Sequence, residues 1–296
     1  MWLATTLLWS PAAMARAIDV EHLGRPRVIC AYETAGAIVD PGPTSSLDTL
    51  LDQLEDEPRA ILLTHIHLDH AGATGVLCRK FPQLKVYVHE RGARHMADPS
   101  KLLASAQRLY GDQMDRLWGE FAPVPQERIV ALTGGERIDG GFAVEYTPGH
   151  ASHHVSYFDE ATGDAFVGDT CGVRLPPHEY VVAPTPPPDI DVELWLRSLD
   201  LIAARAPKRL CLTHFGAYDD VAGHLERIRE SLTLRAEKAR ALDGDAFAEW
   251  SRAELRSAVD ADTAAALDQA APQDDLYAGL RRYWDKRAER EQAGAR

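Results

Sequence analysis

Residues 64–70 read Thr-His-Ile-His-Leu-Asp-His and place His65, His67, Asp69 and His70 directly after the apolar run Ala60-Ile-Leu-Leu63. Imidazoles and a carboxylate at that density form a metal-binding set. Neutral imidazole nitrogen and carboxylate oxygen suit Zn²⁺, and also Fe and Mn. In an extended segment residues two apart point the same way, so His65 and His67 share a face, while Asp69 and His70 fall on the turn that follows. The two pairs address two neighbouring points, which predicts two metal ions a few ångströms apart rather than one.

Further ligands must come from elsewhere in the chain. His150 closes Tyr146-Thr-Pro-Gly-His150 after the apolar segment Phe142–Thr147. Asp169 ends Asp164-Ala-Phe-Val-Gly-Asp169, and His214 ends Leu210-Cys-Leu-Thr-His214. Each is expected on a loop just past a strand, the position of the first cluster.

The elements that must hold these loops are short strands rich in Val, Ile, Leu and aromatics. They are expected at Arg27–Cys30, Ala35–Asp40, Ala60–Thr64, Lys85–His89, Arg128–Leu132, Phe142–Thr147, His154–Phe158, Asp164–Val167 and Arg209–Thr213. Helices alternate with them: Ser45–Leu54, with Ser45 or Ser46 as cap, Gly72–Phe81, a helical stretch over Pro99–Leu117, and Val192–Ala204 with Trp195, Leu199 and Ile202 on one stripe. Alternation of this kind predicts layered α/β or α+β packing. Residues 219–296 carry no strand signal. A helix is expected over Asp220–Ala241, and two or three more between Asp245 and Arg290.

With these motifs the chain resembles the metallo-β-lactamase superfamily, over residues 27 to 216. The matching residues are Asp40 in Ile38-Val-Asp-Pro-Gly42, the His65-x-His67-x-Asp69-His70 run, His150, Asp169 and His214. The resemblance implies an α+β fold, a four-layer αββα sandwich with the metals at one edge of two facing sheets and a C-terminal helical appendix. It also implies a division of ligands. His65, His67 and His150 would hold the first metal; Asp69, His70 and His214 the second; Asp169 would bridge, and Asp40 would orient the ligand loop. The cofactors expected are two divalent ions, Zn first, with Fe or Mn as alternatives. The expected organisation is an N-terminal extension over 1–16, a catalytic domain over 17–218 and a helical region over 219–296, similar to the C-terminal helices of glyoxalase II-like enzymes.

The expected mechanism is hydrolysis by a hydroxide formed at neutral pH, because a metal lowers the pKa of bound water to about 7. Asp69 would hold the nucleophile in line. His153 or His154 would protonate the leaving group or stabilise an oxyanion, with His154 the candidate, against the alternative that it opens a strand and packs inside. The long Pro-rich segment Thr170–Asp191 is expected to wall the pocket, with His178 and Tyr180 as its polar contacts, and Pro99–Leu117 to cover the opposite side. A mixed apolar pocket points to a small ester, thioester or lactone. The alternatives are a phosphodiesterase, a mononuclear-iron sulfur dioxygenase using His65, His150 and Asp169, and a non-catalytic metal-binding module.

The balance of charge bounds the partners. A net charge of −13 over 296 residues, without a basic stripe, argues against nucleic acid. Cys30, Cys78, Cys171 and Cys211 have irregular spacing and no C-x-x-C, which predicts reduced, buried thiols. Cys171, two residues past Asp169, is a minor candidate for reaching the metals. The apolar residues 1–14, with Arg16 the first basic residue, read as an extension, with export through residues 1–17 as the minority alternative, and are too short to span a bilayer. The expected setting is cytoplasmic, with a small-molecule substrate, no membrane partner, and a homodimer as an option. Arg281-Arg282-Tyr283 reads as a solvated helix end.

Overall fold

The computed structural model describes residues 14–294. Two six-stranded sheets face each other. The first holds β1 (Arg16–Asp19), β2 (Cys30–Thr34), β3 (Ala37–Val39), β4 (Ala60–Leu62), β5 (Lys85–His89) and β6 (Ile129–Leu132) in that order. The second, read from its far edge, runs β12 (Gly216–Tyr218), β11 (Arg209–Leu212), β10 (Asp164–Phe166), β9 (Val155–Asp159), β8 (Phe142–Tyr146) and β7 (Arg137–Ile138). Both sheets are mixed: β3 to β6 pair in parallel, as do β10 and β11, and the other neighbours are antiparallel.

The apolar sequence of each central strand follows from burial on both faces. Ala-Ile-Val of β3 and Ala-Ile-Leu of β4 are buried throughout. Tyr32, Val39, Leu62, Phe142, Val144, Tyr157 and Phe166 fill the space between the sheets. Two tyrosines also tie the layers by hydrogen bonds. The Tyr32 hydroxyl donates to the Leu212 carbonyl at 2.7 Å, and Tyr157 reaches the Leu63 carbonyl at 2.9 Å.

Helices cover the outer faces. α1 (Leu47–Gln53), α2 (Leu68–Ala71), α3 (Thr74–Lys80), α4 (Glu90–Ala97), α5 (Ser100–Tyr110) and α6 (Met114–Leu117) belong to the first half, and α7 (Val192–Ala204) to the second. α7 has the expected limits. Asp191 caps it by accepting from Leu194 N at 3.0 Å, and Trp195, Leu199 and Ile202 are buried at i, i+4 and i+7. α8 (Val221–Ala241), α9 (Gly244–Ala258), α10 (Ala261–Ala270) and α11 (Gln273–Gly294) supply the expected C-terminal helices. None of the helices among the described residues is long and apolar enough to cross a membrane. The fold is the expected α+β sandwich of facing mixed sheets with helices outside.

Several local expectations need correction. The strand expected at Arg27–Cys30 is displaced: residues 27–29 lie outside any strand, and β2 starts only at Cys30. Arg27 has φ +63, and its neighbour Val28 uses its carbonyl to accept from His214 Nδ1 at 2.6 Å, so this backbone serves a site residue instead of a sheet. β1, β7 and β12 carry no strong sequence signal and were not anticipated. Ser45 does not cap α1; its hydroxyl donates to the Leu117 carbonyl, and Ser46 sits at the cap position with its hydroxyl 3.5 Å from His22 Nδ1 instead of on the helix. The proposed extension over 1–16 lies outside the described residues except for its last members, of which Arg16 opens β1 against Glu33 of β2.

Candidate metal centre

The site forms at one end of the sandwich, where β3, β4, β8, β10 and β11 each end in a loop. β4 stops at Leu62, and Leu63 N still bonds to the Tyr87 carbonyl, so the chain leaves the sheet at Thr64. His67 then starts α2, whose single turn closes through His70 N and Ala71 N on the His67 carbonyl. The extended segment aims His65 and His67 together, and the turn carries Asp69 and His70 to the next position, as the spacing predicts.

The first group is His65, His67 and His150. His67 Nδ1 lies 3.0 Å from His65 Nε2 and 3.1 Å from His150 Nε2. The Nδ1 atom of His150 donates to the Pro184 carbonyl at 2.9 Å, which fixes its tautomer and turns the Nε2 lone pair inward. The second group is Asp69, His70 and His214. His214 Nε2 lies 3.2 Å from Asp69 Oδ2. Asp169 spans the groups: its Oδ2 is 3.3 Å from His150 Nε2, and its Oδ1 is 3.2 Å from His70 Nε2 and 3.6 Å from His214 Nε2.

Asp40 stands behind the site and is fully buried. It accepts from Thr64 N at 2.8 Å, from the Thr64 and Thr213 hydroxyls at 2.7 and 2.8 Å, and from His70 Nδ1 at 2.8 Å. One carboxylate thus pins the ends of β4 and β11 and orients His70. The His150 loop is fixed by α7. Gly149, with φ +138, lets the backbone pass so close that a Cβ there would sit 2.3 Å from Trp195 Cα. Trp195 packs its ring 5.5 Å from His150 and donates Nε1 to the Thr170 carbonyl at 2.7 Å, so one fully buried side chain supports both the His150 and Asp169 loops.

Electrostatics divides the two groups. Burial pulls the pKa of His65 well below the ordinary value and that of His67 down to about 4, and it lowers His150 as well. These rings stay neutral, the form that binds metal. At His70 and His214 burial acts the same way, but Asp169 and Asp69 outweigh it and raise both. Burial alone would raise the two carboxyls; facing His70, both fall below the usual range. The second group therefore favours positive charge between its members. His70 Nε2, His214 Nε2 and Asp169 Oδ1 are buried without a well-directed hydrogen-bond partner. Each buried polar atom left so costs about 1–3 kcal/mol. Inward lone pairs, converging carboxylates and these orphaned atoms fit a pair of divalent ions.

The site opens into a cavity of about 890 Å³, with His67, Asp69, Asp169 and His214 in its wall. Ile66, Leu68, Leu102, Ala106 and Leu276 make much of the rest apolar. As anticipated, the Pro99–Leu117 stretch and the Pro184–Pro188 segment form walls. His178 and Tyr180 do not: His178 Nε2 pairs with Asp260 Oδ2 at 2.8 Å, and the Tyr180 hydroxyl accepts from Arg235 at 2.9 Å, so both tie the Pro-rich segment to the C-terminal helices. His154 also lies off the cavity. It is fully buried behind His65, 5.1 Å ring to ring, and bonds to the Thr147 hydroxyl at 2.9 Å. The adjacent His153 lines the cavity, with its ring 5.8 Å from that of His67. Cys171 is fully buried with its thiol pKa pushed up by burial, and it joins neither ligand group. All four cysteines are free and buried. His22, Tyr110, Trp118, Arg94 and Lys101 also line the cavity and belong to no recognisable motif.

Two facing mixed sheets with helices outside thus hold a two-part His/Asp cluster at one end. The family model described as the metallo-beta-lactamase superfamily matches residues 28–214. The chain belongs to that superfamily. It is 30% identical over 207 residues to a metallo-beta-lactamase fold-containing protein of Sulfurisphaera tokodaii, covering 67% of this chain and 75% of the relative. It is 32% identical over 137 residues to a hydroxyacylglutathione hydrolase of Thermosynechococcus vestitus; that match covers 45% of this chain and spans 43% of the relative's length. Among solved structures, an archaeal superfamily protein from Sulfolobus tokodaii superposes with a TM-score of 0.69 at 23% identity, covering 92% of this chain and 99% of the other. A family protein from Thermus thermophilus gives a TM-score of 0.61 at 20% identity, covering 93% of both chains. These superpositions speak for the fold.

Proposed function

We propose that the protein is a dinuclear metallohydrolase of small esters, thioesters or lactones. The observation that carries this reading is the placing of two ligand groups, spanned by Asp169, in the wall of a largely apolar cavity. His65, His67 and His150 would hold one ion and Asp69, His70 and His214 the other. Zinc fits the imidazole-rich first group best. Two bound ions would supply Lewis acidity and lower the pKa of a water to about 7.

The protein's own groups do the rest. Asp69 is the most exposed carboxylate of the set, at 23%, and can accept a hydrogen bond from a water nucleophile at the cavity floor. His153 takes the role first expected of His154. Burial pulls its pKa down to about 3, so its ring is neutral and offers one N–H to a developing oxyanion rather than acting as an imidazolium acid. The apolar walls exclude water and accept an acyl chain or aryl group. The relatives named hydroxyacylglutathione hydrolases support an acyl substrate. The second group disfavours a mononuclear iron site.

A substrate panel on protein loaded with zinc, manganese or iron tests this reading. Thioesters, lactones and aryl esters should be turned over, and a chelator should stop the reaction. Turnover of phosphodiesters alone, or oxygen uptake with a persulfide, would overturn it.

A further inference from the structure

The cavity changes character along its length. α5 runs beside it from Lys101 to Tyr110, which a helical rise of about 1.5 Å per residue places roughly 14 Å apart. At the Tyr110 end the wall is aromatic. Tyr110 meets Trp118 edge-on at 5.2 Å, and Trp118 stacks on His22 at 5.5 Å with the planes 8° apart. Leu109, 57% exposed, stands beside them. This end shares the cavity wall with Asp69 and His214 of the second ligand group.

The opposite end is cationic, with Arg91, Arg94, His95 and Lys101 in the wall. It adjoins the first ligand group: a Cβ at Gly92 of α4 would sit 2.9 Å from Ile66 and 3.7 Å from His153. Arg91 is held by the Tyr146 hydroxyl at 3.0 Å. Arg94 contacts His95 at 3.2 Å, and burial together with Arg94 and Lys101 lowers the His95 pKa, so both cations stand close to that ring. Neither Arg94 nor Lys101 has a carboxylate within salt-bridge distance among the described residues. Elsewhere in this acidic chain, helix arginines commonly find one, as in Arg79–Glu120, Arg227–Asp220 and Arg281–Asp285. Of the nearby acids, Asp98 accepts from Ser100 N at 3.1 Å and acts on Lys101 from beyond salt-bridge distance, Asp189 is taken by the Ser152 hydroxyl at 2.6 Å, and Glu90 neighbours Arg91.

We propose that Arg94 and Lys101 bind an anionic group, carboxylate or phosphate, of a substrate whose aryl or apolar part lies against Tyr110 and Trp118. The scissile acyl bond then sits between the two ends, over the ligand groups. This assignment of substrate class rests on the hydrolytic reading above. An arginine fork and a lysine point charge reward an anion with charge-assisted hydrogen bonds, and the aromatic wall rewards a flat apolar group.

The test needs no turnover, so its failure is distinct from failure of the hydrolytic reading. The metal-loaded full chain is titrated calorimetrically with succinanilate, with the anilide of 3-phosphonopropionate, and with neutral butyranilide. At least one anion should bind about tenfold or more tightly than butyranilide, and the tighter of the two identifies the group. The double variant R94A/K101A should erase that preference, and R94K/K101R should retain it. The single variants R94A and K101A, each with a partial loss, carry the test if the double variant does not fold. Equal affinity for anionic and neutral anilides in the unsubstituted protein overturns the proposal. So does a preference that survives R94A/K101A, because the metals would then be reading the anion.

Discussion

Asp169→Ala should lower kcat/KM for an ester substrate by at least about a thousandfold, equivalent to about 4 kcal/mol of transition-state stabilisation. Among the described residues Asp169 is the one whose two oxygens address different groups, Oδ2 toward His150 and Oδ1 toward His70 and His214. Its removal would strip a ligand atom from both proposed metal positions. The loss should exceed the 10–100-fold typical of residues that only orient ligands. Asp169→Asn keeps the shape without the charge and should fall nearly as far. Steady-state kinetics with circular dichroism as a fold control makes the comparison, and a variant keeping more than about a tenth of the activity would contradict the bridging role.

Asp40→Ala should damage both stability and metal retention. The Asp40 carboxylate accepts from Thr64 N, the hydroxyls of Thr64 and Thr213, and His70 Nδ1 in a place closed to water. Without it those donors lose their acceptor together, and breaking a buried ionic network of this kind costs about 3–5 kcal/mol. Asp40 also has φ +46, where Asp and Asn are tolerated better than Ala. Metal affinity should drop about 10–100-fold because His70 loses its orienting partner. Asp40→Asn, which preserves the backbone preference and part of the bonding, should fall between. Urea unfolding and competition with a chromophoric chelator read the two effects. Unchanged values in both for Asp40→Ala would show that the network does not hold the site.

The site was legible in the chain because its ligands sit on loops directly after apolar strands, where type and spacing survive in sequence. The His65–His70 run, His150, Asp169 and His214 converge as expected, and α7 has its predicted limits because capping and apolar period agree there. Other features depend on the third dimension. His153 and His154 are neighbours, and only the packing of the turn before β9 decides which faces the cavity. Val28 and Ile29 look like strand residues but lie in a segment whose carbonyl at Val28 orients His214. The edge strands β1, β7 and β12 lack the fully buried apolar runs that mark β3 and β4. Arg94, Lys101, Tyr110 and Trp118 read as ordinary helix and loop positions until α4, α5 and the segment after α6 close over the ligand loops.

Hydrolysis as proposed needs a pair of metals held by two groups with a shared carboxylate. Elemental analysis of the purified protein and of His214→Ala tests it most directly, since His214 belongs to the second group and not the first. Two equivalents of divalent metal per chain, falling to one in the variant, is the predicted result. One equivalent in the unsubstituted protein, unchanged in His214→Ala, would contradict it.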